Sequence, residues 1–313
     1  MPKYRQQLPQ LSGDLFLTDG GLETCLIFHD GLDLPDFAAF DLFKEDVGRA
    51  AVDRYYRNYI TIAQANGVGF ILESATWRAS PDWGTKLGYS SNALAEMNRT
   101  AVDLLHDLRG EYETADTKVV ISGCVGPRGD GYNPEEIMTE AEAETYHAFQ
   151  IGAFKEAKAD MVTAITMTNA EEAIGITRAA QAAGMPVVIS FTVETDGRLP
   201  TGQSLGQAIE QVDAATGNGP AYFMINCAHP THFDDALANR ETWLERIRGI
   251  RANASTMSHA ELDEAEELDD GNPHELGGQY RALRDRMSHI NVLGGCCGTD
   301  HRHVEAICHA CAA

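Results

Sequence analysis

Positive charge is scarce in this chain: 24 Lys and Arg stand against 47 Asp and Glu, a net charge of −23 over 313 residues. Such a balance excludes nucleic acid and anionic membrane surfaces as partners and is compatible with a cationic small molecule. Long apolar runs are missing too. None approaches the roughly 18 residues of a membrane span, and the opening Met1-Pro2-Lys3-Tyr4-Arg5-Gln6-Gln7 has no apolar signal region. A cytoplasmic, reducing setting is therefore expected, with the seven cysteines acting as thiols or ligands, not as a disulfide framework. No internal repeat is evident, and no G-x-G-x-x-G follows the first apolar run, which argues against a dinucleotide-binding sheet.

What is present is a core-forming composition, 43% hydrophobic, arranged in a repeating pattern. Short β-branched runs occur at Leu15–Thr18, Gly69–Glu73, Lys118–Ser122, Asp160–Ile165, Pro186–Phe191, Ala221–Asn226, Gly249–Ala252 and Ile290–Leu293. Amphipathic stretches such as Val47–Asn66, Asn92–Leu108, Thr139–Ala157 and Ala170–Ala183 lie between them. Strands alternating with helices imply parallel βαβ units, and eight of them predict an α/β fold, a (β/α)8 TIM barrel, as a single domain over 1–313. The acidic run Glu261–Asp270 reads as a solvated helix or loop inserted between the last two strands.

The densest chemical signal is Leu293-Gly294-Gly295-Cys296-Cys297-Gly298-Thr299-Asp300. Neighbouring cysteines do not readily bond to each other, and three surrounding glycines strip bulk from the thiols. Cys227, in Asn226-Cys227-Ala228-His229-Pro230, closes the sixth strand as the pair closes the eighth. In a barrel both ends face one mouth. Three thiolates with one open position describe a catalytic zinc site. Two alternatives stand beside it. The cysteines can be buried small hydrophobes, or Cys308 and Cys311 can join Cys296 and Cys297 in a closed structural site. The latter two fall on a predicted C-terminal helix capped by Asp300, where His301 and His303 read as surface residues of the first turn. Trp77 and Trp83, on the loop after strand two, offer an aromatic cage for an onium donor or simple loop packing.

Thr18-Asp19-Gly20-Gly21-Leu22-Glu23-Thr24, Ser122-Gly123-Cys124-Val125-Gly126-Pro127, Ile225-Asn226-Cys227 and Gly294-Gly295-Cys296-Cys297-Gly298-Thr299 resemble the homocysteine S-methyltransferase family, in order, from about residue 12 to 311. The resemblance implies a zinc-binding barrel with Cys227, Cys296 and Cys297 as metal ligands. It implies Asp19 as the catalytic-site residue contacting the amino-acid acceptor, Gly20 and Gly21 as the turn shaping that contact, and Asn253 as the asparagine after strand seven. Glu73 and Thr76 are expected at the mouth, and Cys124 as packing. The implied reaction moves a methyl group from a cationic donor, S-methylmethionine or S-adenosylmethionine, to the thiol of homocysteine, giving methionine. A different thiol acceptor, a corrinoid or betaine donor, a metal-assisted hydrolase and a non-catalytic zinc-binding barrel are the alternatives. One departure stands out. Alignment on Asn169-Ala170-Glu171-Glu172-Ala173 puts Ile165, followed by Thr166, where the family carries a glutamate that binds the acceptor's ammonium. An isoleucine cannot do that; Glu194, just past strand five, is a substitute candidate but reads more readily as an exposed loop carboxylate.

Overall fold

The computed structural model describes residues 1–134, 136–238, 241–263 and 267–312. Eight parallel strands close in sequence order into a barrel: β1 (Phe16–Leu17), β2 (Gly69–Glu73), β3 (Val119–Val125), β4 (Met161–Met167), β5 (Val187–Phe191), β6 (Tyr222–Asn226), β7 (Ile247–Ala252) and β8 (Val292–Gly295). Closure comes from β1 against β8, with Phe16 opposite Val292. The expected (β/α)8 barrel is what the chain forms.

The outer ring is made by helices Asp46–Asn66, Ser91–Tyr112, Glu140–Glu156, Ala170–Ala183, Leu205–Thr216, Pro273–Arg286 and His301–Cys311. Their starts are written locally. The Thr139 and Ser204 side chains accept from the backbone N–H groups of Glu142 and Gln207, which reach back in two capping boxes. Asn169, Asn272 and Asp300 cap three more. His303 departs from expectation: it is buried, its Nδ1 accepts from the Asp300 N–H (3.1 Å), and it completes that cap from within.

Period-two alternation decides what faces the barrel axis. Phe16, Ile71, Val120, Met161, Val188, Met224 and Val292 form one apolar cluster together with Leu8, and so plug the N-terminal end. Two residues on, the inward layer turns polar. Ser122 and Thr163 share a hydrogen bond (2.7 Å), and Ser190 donates to Asn226 Oδ1 (2.6 Å). At the C-terminal rim the same faces present Glu73, Cys124, Ile165, Arg251 and Cys296 to a cavity. The glycines before the cysteine pair serve barrel closure: a Cβ on Gly294 would collide with Thr18 Oγ1, and one on Gly295 with Thr299 Oγ1. No helix among the described residues is long and apolar enough to cross a membrane.

Candidate active site

Cys227 follows β6 and Cys296 follows β8, with only β7 between them, so their Cα atoms lie 5.4 Å apart on one side of the mouth. The sulfur atoms of Cys227, Cys296 and Cys297 all fall within 4.8 Å of one another, the one such His/Cys/Asp/Glu cluster found among the described residues. Cys308 and Cys311 are buried on the last helix and take no part. The structure joins Cys227 and Cys296 as a disulfide and leaves Cys297 as a thiol, its Sγ 3.9 Å from that of Cys227. Two strand ends one strand apart bring those sulfurs within bonding reach. A zinc ion needs them as thiolates, so disulfide and metal are mutually exclusive states of one site. Reduced, three convergent sulfurs with small or hydroxylic neighbours fit a soft divalent ion with a fourth position left for a ligand.

Two residues hold this cluster in a strained backbone. Cys227 has φ +53° and Thr166 φ +66°, the left-handed region that a β-branched threonine rarely enters. The Cys227 N–H donates to Arg251 O (3.1 Å), and the Asn226 side chain secures Thr166. Its Oδ1 accepts from the Thr166 N–H (2.9 Å) and its Nδ2 donates to Thr166 Oγ1 (2.8 Å), while Nδ2 lies 3.9 Å from Cys296 Sγ. The β4–β5 register slips between Ala164 and Met167, and this irregularity presents Ile165 and Thr166 to the cavity.

The largest surprise is Arg251 of β7, buried at the centre of the mouth. Its Nη2 donates to Asp19 Oδ1 (2.6 Å) and to Gly20 O (3.3 Å), its Nε donates to Gly295 O (3.0 Å), and its Nη1 bonds Glu73 Oε2. Tyr55 donates to the other Asp19 oxygen (3.1 Å). Asp19, expected to hold a substrate ammonium, is thus committed within the protein, as is one oxygen of Glu73. Burial pushes the Glu73 carboxyl up to about 7, opposed by Arg251 and reinforced by Asp19; burial likewise raises Asp19 against the pull of Arg251. An arginine preceding Ala252-Asn253 gave no motif signal, although the alternation that turns Gly249 inward also turns Arg251 inward.

The cavity, about 340 Å³, is lined by Asp19, Gly20, Gly21, Glu23, Glu73, Arg78, Ile165, Thr166, Arg251 and the three cysteines, among others. Asn253 lies off this lining, buried, with Oδ1 unpartnered. Thr76 is buried and donates to Cys124 O (2.8 Å), and Glu194 pairs with His259 Nδ1 (3.2 Å); neither lines the cavity. Trp77 does, and Trp83 does not. The Arg78 guanidinium lies over both indoles, 4.2 and 3.8 Å from the ring centroids, so the protein's own cation already occupies those faces. Tyr132, from the loop after β3, stacks on His259 (4.1 Å between centroids) and brings its hydroxyl to 3.4 Å from Cys297 Sγ. Leu262, Glu267, Leu268 and Asp269 also line the mouth, so the flanks of the acidic run are not merely solvated; its residues 264–266 lie outside the described residues.

The sequence pattern described as homocysteine S-methyltransferase matches residues 16–311, nearly the whole chain. The chain belongs to the homocysteine S-methyltransferase family. Within that family it is 23% identical, over 262 residues, to betaine–homocysteine S-methyltransferase 1 of Rattus norvegicus; the match takes in 76% of this chain and 59% of that protein's length. The fold is shared with the homocysteine methyltransferase MmuM from Escherichia coli. Its oxidized form superposes with a TM-score of 0.77 at 17% identity, covering 97% of this chain and 99% of MmuM. Its metallated form gives 0.71 at 16% identity with the same coverage. Ile165 lines this mouth at the position where the resemblance implied a glutamate.

Proposed function

We propose that this family member moves a methyl group from a cationic donor to the thiol of homocysteine, forming methionine, with zinc held by reduced Cys227, Cys296 and Cys297. The convergence of the three sulfurs within 4.8 Å at the strand ends carries the reading. Zinc held there supplies a Lewis acid that favours the thiolate of a bound thiol at neutral pH. The protein's own contribution is placement. Asn226 fixes the backbone at Thr166, and Tyr132 reaches Cys297 from the β3 loop. Apolar Ile165, Trp77 and Leu22 narrow the cavity and help exclude water, which favours in-line approach of thiol and methyl carbon.

The curated relative is named for betaine, and both it and MmuM are named for homocysteine. The thiol acceptor is therefore the shared element and the donor the variable one. A cavity edged by Asp19, Glu23, Glu73, Asp130, Glu267 and Asp269, against Arg78 and Arg251, suits a donor that arrives positively charged and leaves neutral. S-methylmethionine and S-adenosylmethionine are the donors proposed. The test is a mass-spectrometric screen of reduced, zinc-loaded protein, pairing homocysteine and other thiols with S-methylmethionine, S-adenosylmethionine and betaine. Methionine formation from a sulfonium donor is expected. Absence of methylation of every thiol, in conditions where a control relative is active, rejects the reading.

A further inference from the structure

Two charged side chains that line the cavity keep hydrogen-bonding capacity that no described protein group uses. Glu23, on the turn after β1, faces the cavity, and among the described residues no side chain hydrogen-bonds its carboxylate. The turn that carries it is packed against the metal-site backbone: a Cβ on Gly21 would come within 2.7 Å of Cys296 O. Arg78 is 6% exposed; its Nη1 donates to Gly129 O (2.8 Å), its Nη2 lies 3.8 Å from Asp130, and its buried Nε has no partner. Glu23 and Arg78 are not joined to each other, yet each shifts the other's proton affinity. A carboxylate and a guanidinium thus line one cavity, the guanidinium with donor capacity unspent.

The groups expected to bind an amino-acid substrate are engaged or missing. Each Asp19 oxygen already accepts a hydrogen bond, from Arg251 and from Tyr55. Glu73 is paired with Arg251, and Ile165 supplies no charge. Among the described residues Glu23 has no side-chain partner, and a carboxylate held in such a cavity is costly unless a ligand completes it. We propose that Glu23 and Arg78 together receive a zwitterionic α-amino-acid head group, Glu23 taking the ammonium and Arg78 the carboxylate. The receptor deepens the function proposed above and rests on it for the identity of the ligand. Both homocysteine and S-methylmethionine carry this head group.

Calorimetric titration of the reduced, zinc-loaded chain tests this without turnover. The ligands are L-homocysteine, S-methyl-L-methionine, 4-mercaptobutyrate, which lacks the ammonium, and 3-aminopropane-1-thiol, which lacks the carboxylate. Glu23→Gln is expected to weaken a zwitterion at least about tenfold while leaving 4-mercaptobutyrate within about twofold. Arg78→Gln is expected to weaken the zwitterion and 4-mercaptobutyrate but spare 3-aminopropane-1-thiol, with Arg78→Lys recovering part of the loss. A loss confined to homocysteine assigns the receptor to the acceptor, and one confined to S-methylmethionine assigns it to the donor. Unchanged affinity for both zwitterions in Glu23→Gln, no zwitterion binding by the wild type, or an equal loss for the ammonium-free analogue overturns the proposal. A protein that methylates no thiol yet binds a zwitterion through Glu23 keeps the receptor and loses the methyltransferase reading; the converse result separates them the other way.

Discussion

Arg251 Nη2 meets Asp19 Oδ1 at 2.6 Å in the buried centre of the barrel mouth, joining β7 to the turn after β1. The same guanidinium holds Glu73 of β2, so one cation near the end of the chain ties together two carboxylates from its first quarter. Arg251→Met leaves both carboxylates buried without a counter-charge. Removing one partner of a buried pair costs about 3–5 kcal/mol. Chemical denaturation at neutral pH measures it, and a loss under about 1 kcal/mol contradicts a structural role for this triad.

The three-sulfur site predicts metal content directly. Under reducing conditions the chain is expected to take up one zinc ion per molecule, and Cys296→Ala to lose that zinc while keeping its far-ultraviolet circular dichroism. Cys124→Ala, at a cavity wall thiol outside the cluster, is expected to keep it. Elemental analysis after dialysis reads both. Protein handled without reductant is expected to load poorly, because Cys227 and Cys296 are then joined. Full zinc content in Cys296→Ala removes the ligand assignment.

Asn226 orients the cluster without being a ligand. Asn226→Asp replaces the Nδ2 donor to Thr166 Oγ1 with a carboxylate oxygen and adds negative charge beside Cys296. Zinc affinity is expected to fall about 10–100-fold, the usual effect of disturbing a group that orients metal ligands. Competition with a chromophoric chelator measures it; affinity equal to wild type shows that the asparagine serves only the fold.

Glu23 makes stability depend on pH. Burial pushes its carboxyl from 4.5 up to about 7. Between those values the folded chain keeps a proton that the unfolded chain has released, so this contribution is full below about 4.5 and is lost as pH rises through about 7. Glu23→Gln removes the dependence. Compared with wild type, the variant is expected to gain roughly 1–3 kcal/mol between pH 4 and pH 8. Urea unfolding at the two values checks the sign; a constant difference refutes it.

Much of the architecture was legible because it is written in local terms. Alternation marks the eight strands, and caps such as Thr139, Asn169 and Asp300 mark helix starts within a residue or two. The cysteine cluster was legible because adjacent thiols among glycines have few structural uses. Arg251 was not, since an arginine inside an apolar strand gains its meaning from Asp19 and Glu73, respectively 232 and 178 residues away. His303 was misplaced for a related reason: its burial follows from its Nε2 meeting Asp270 O (2.7 Å) on a neighbouring segment. Tyr132 lies in a loop with no periodic signal, and it reaches Cys297 while stacked on His259.

The sequence by itself determined the barrel and the cysteine triad at its strand ends, because hydrophobic periodicity and metal-ligand chemistry act through residue type and spacing. Which charges stay free inside the mouth was decided only by the tertiary structure. Asp19 and Glu73 pair with Arg251, while among the described residues the Glu23 carboxylate and the buried Arg78 Nε are left without a side-chain partner. That division depends on which side chains closure of the barrel brings within hydrogen-bonding distance.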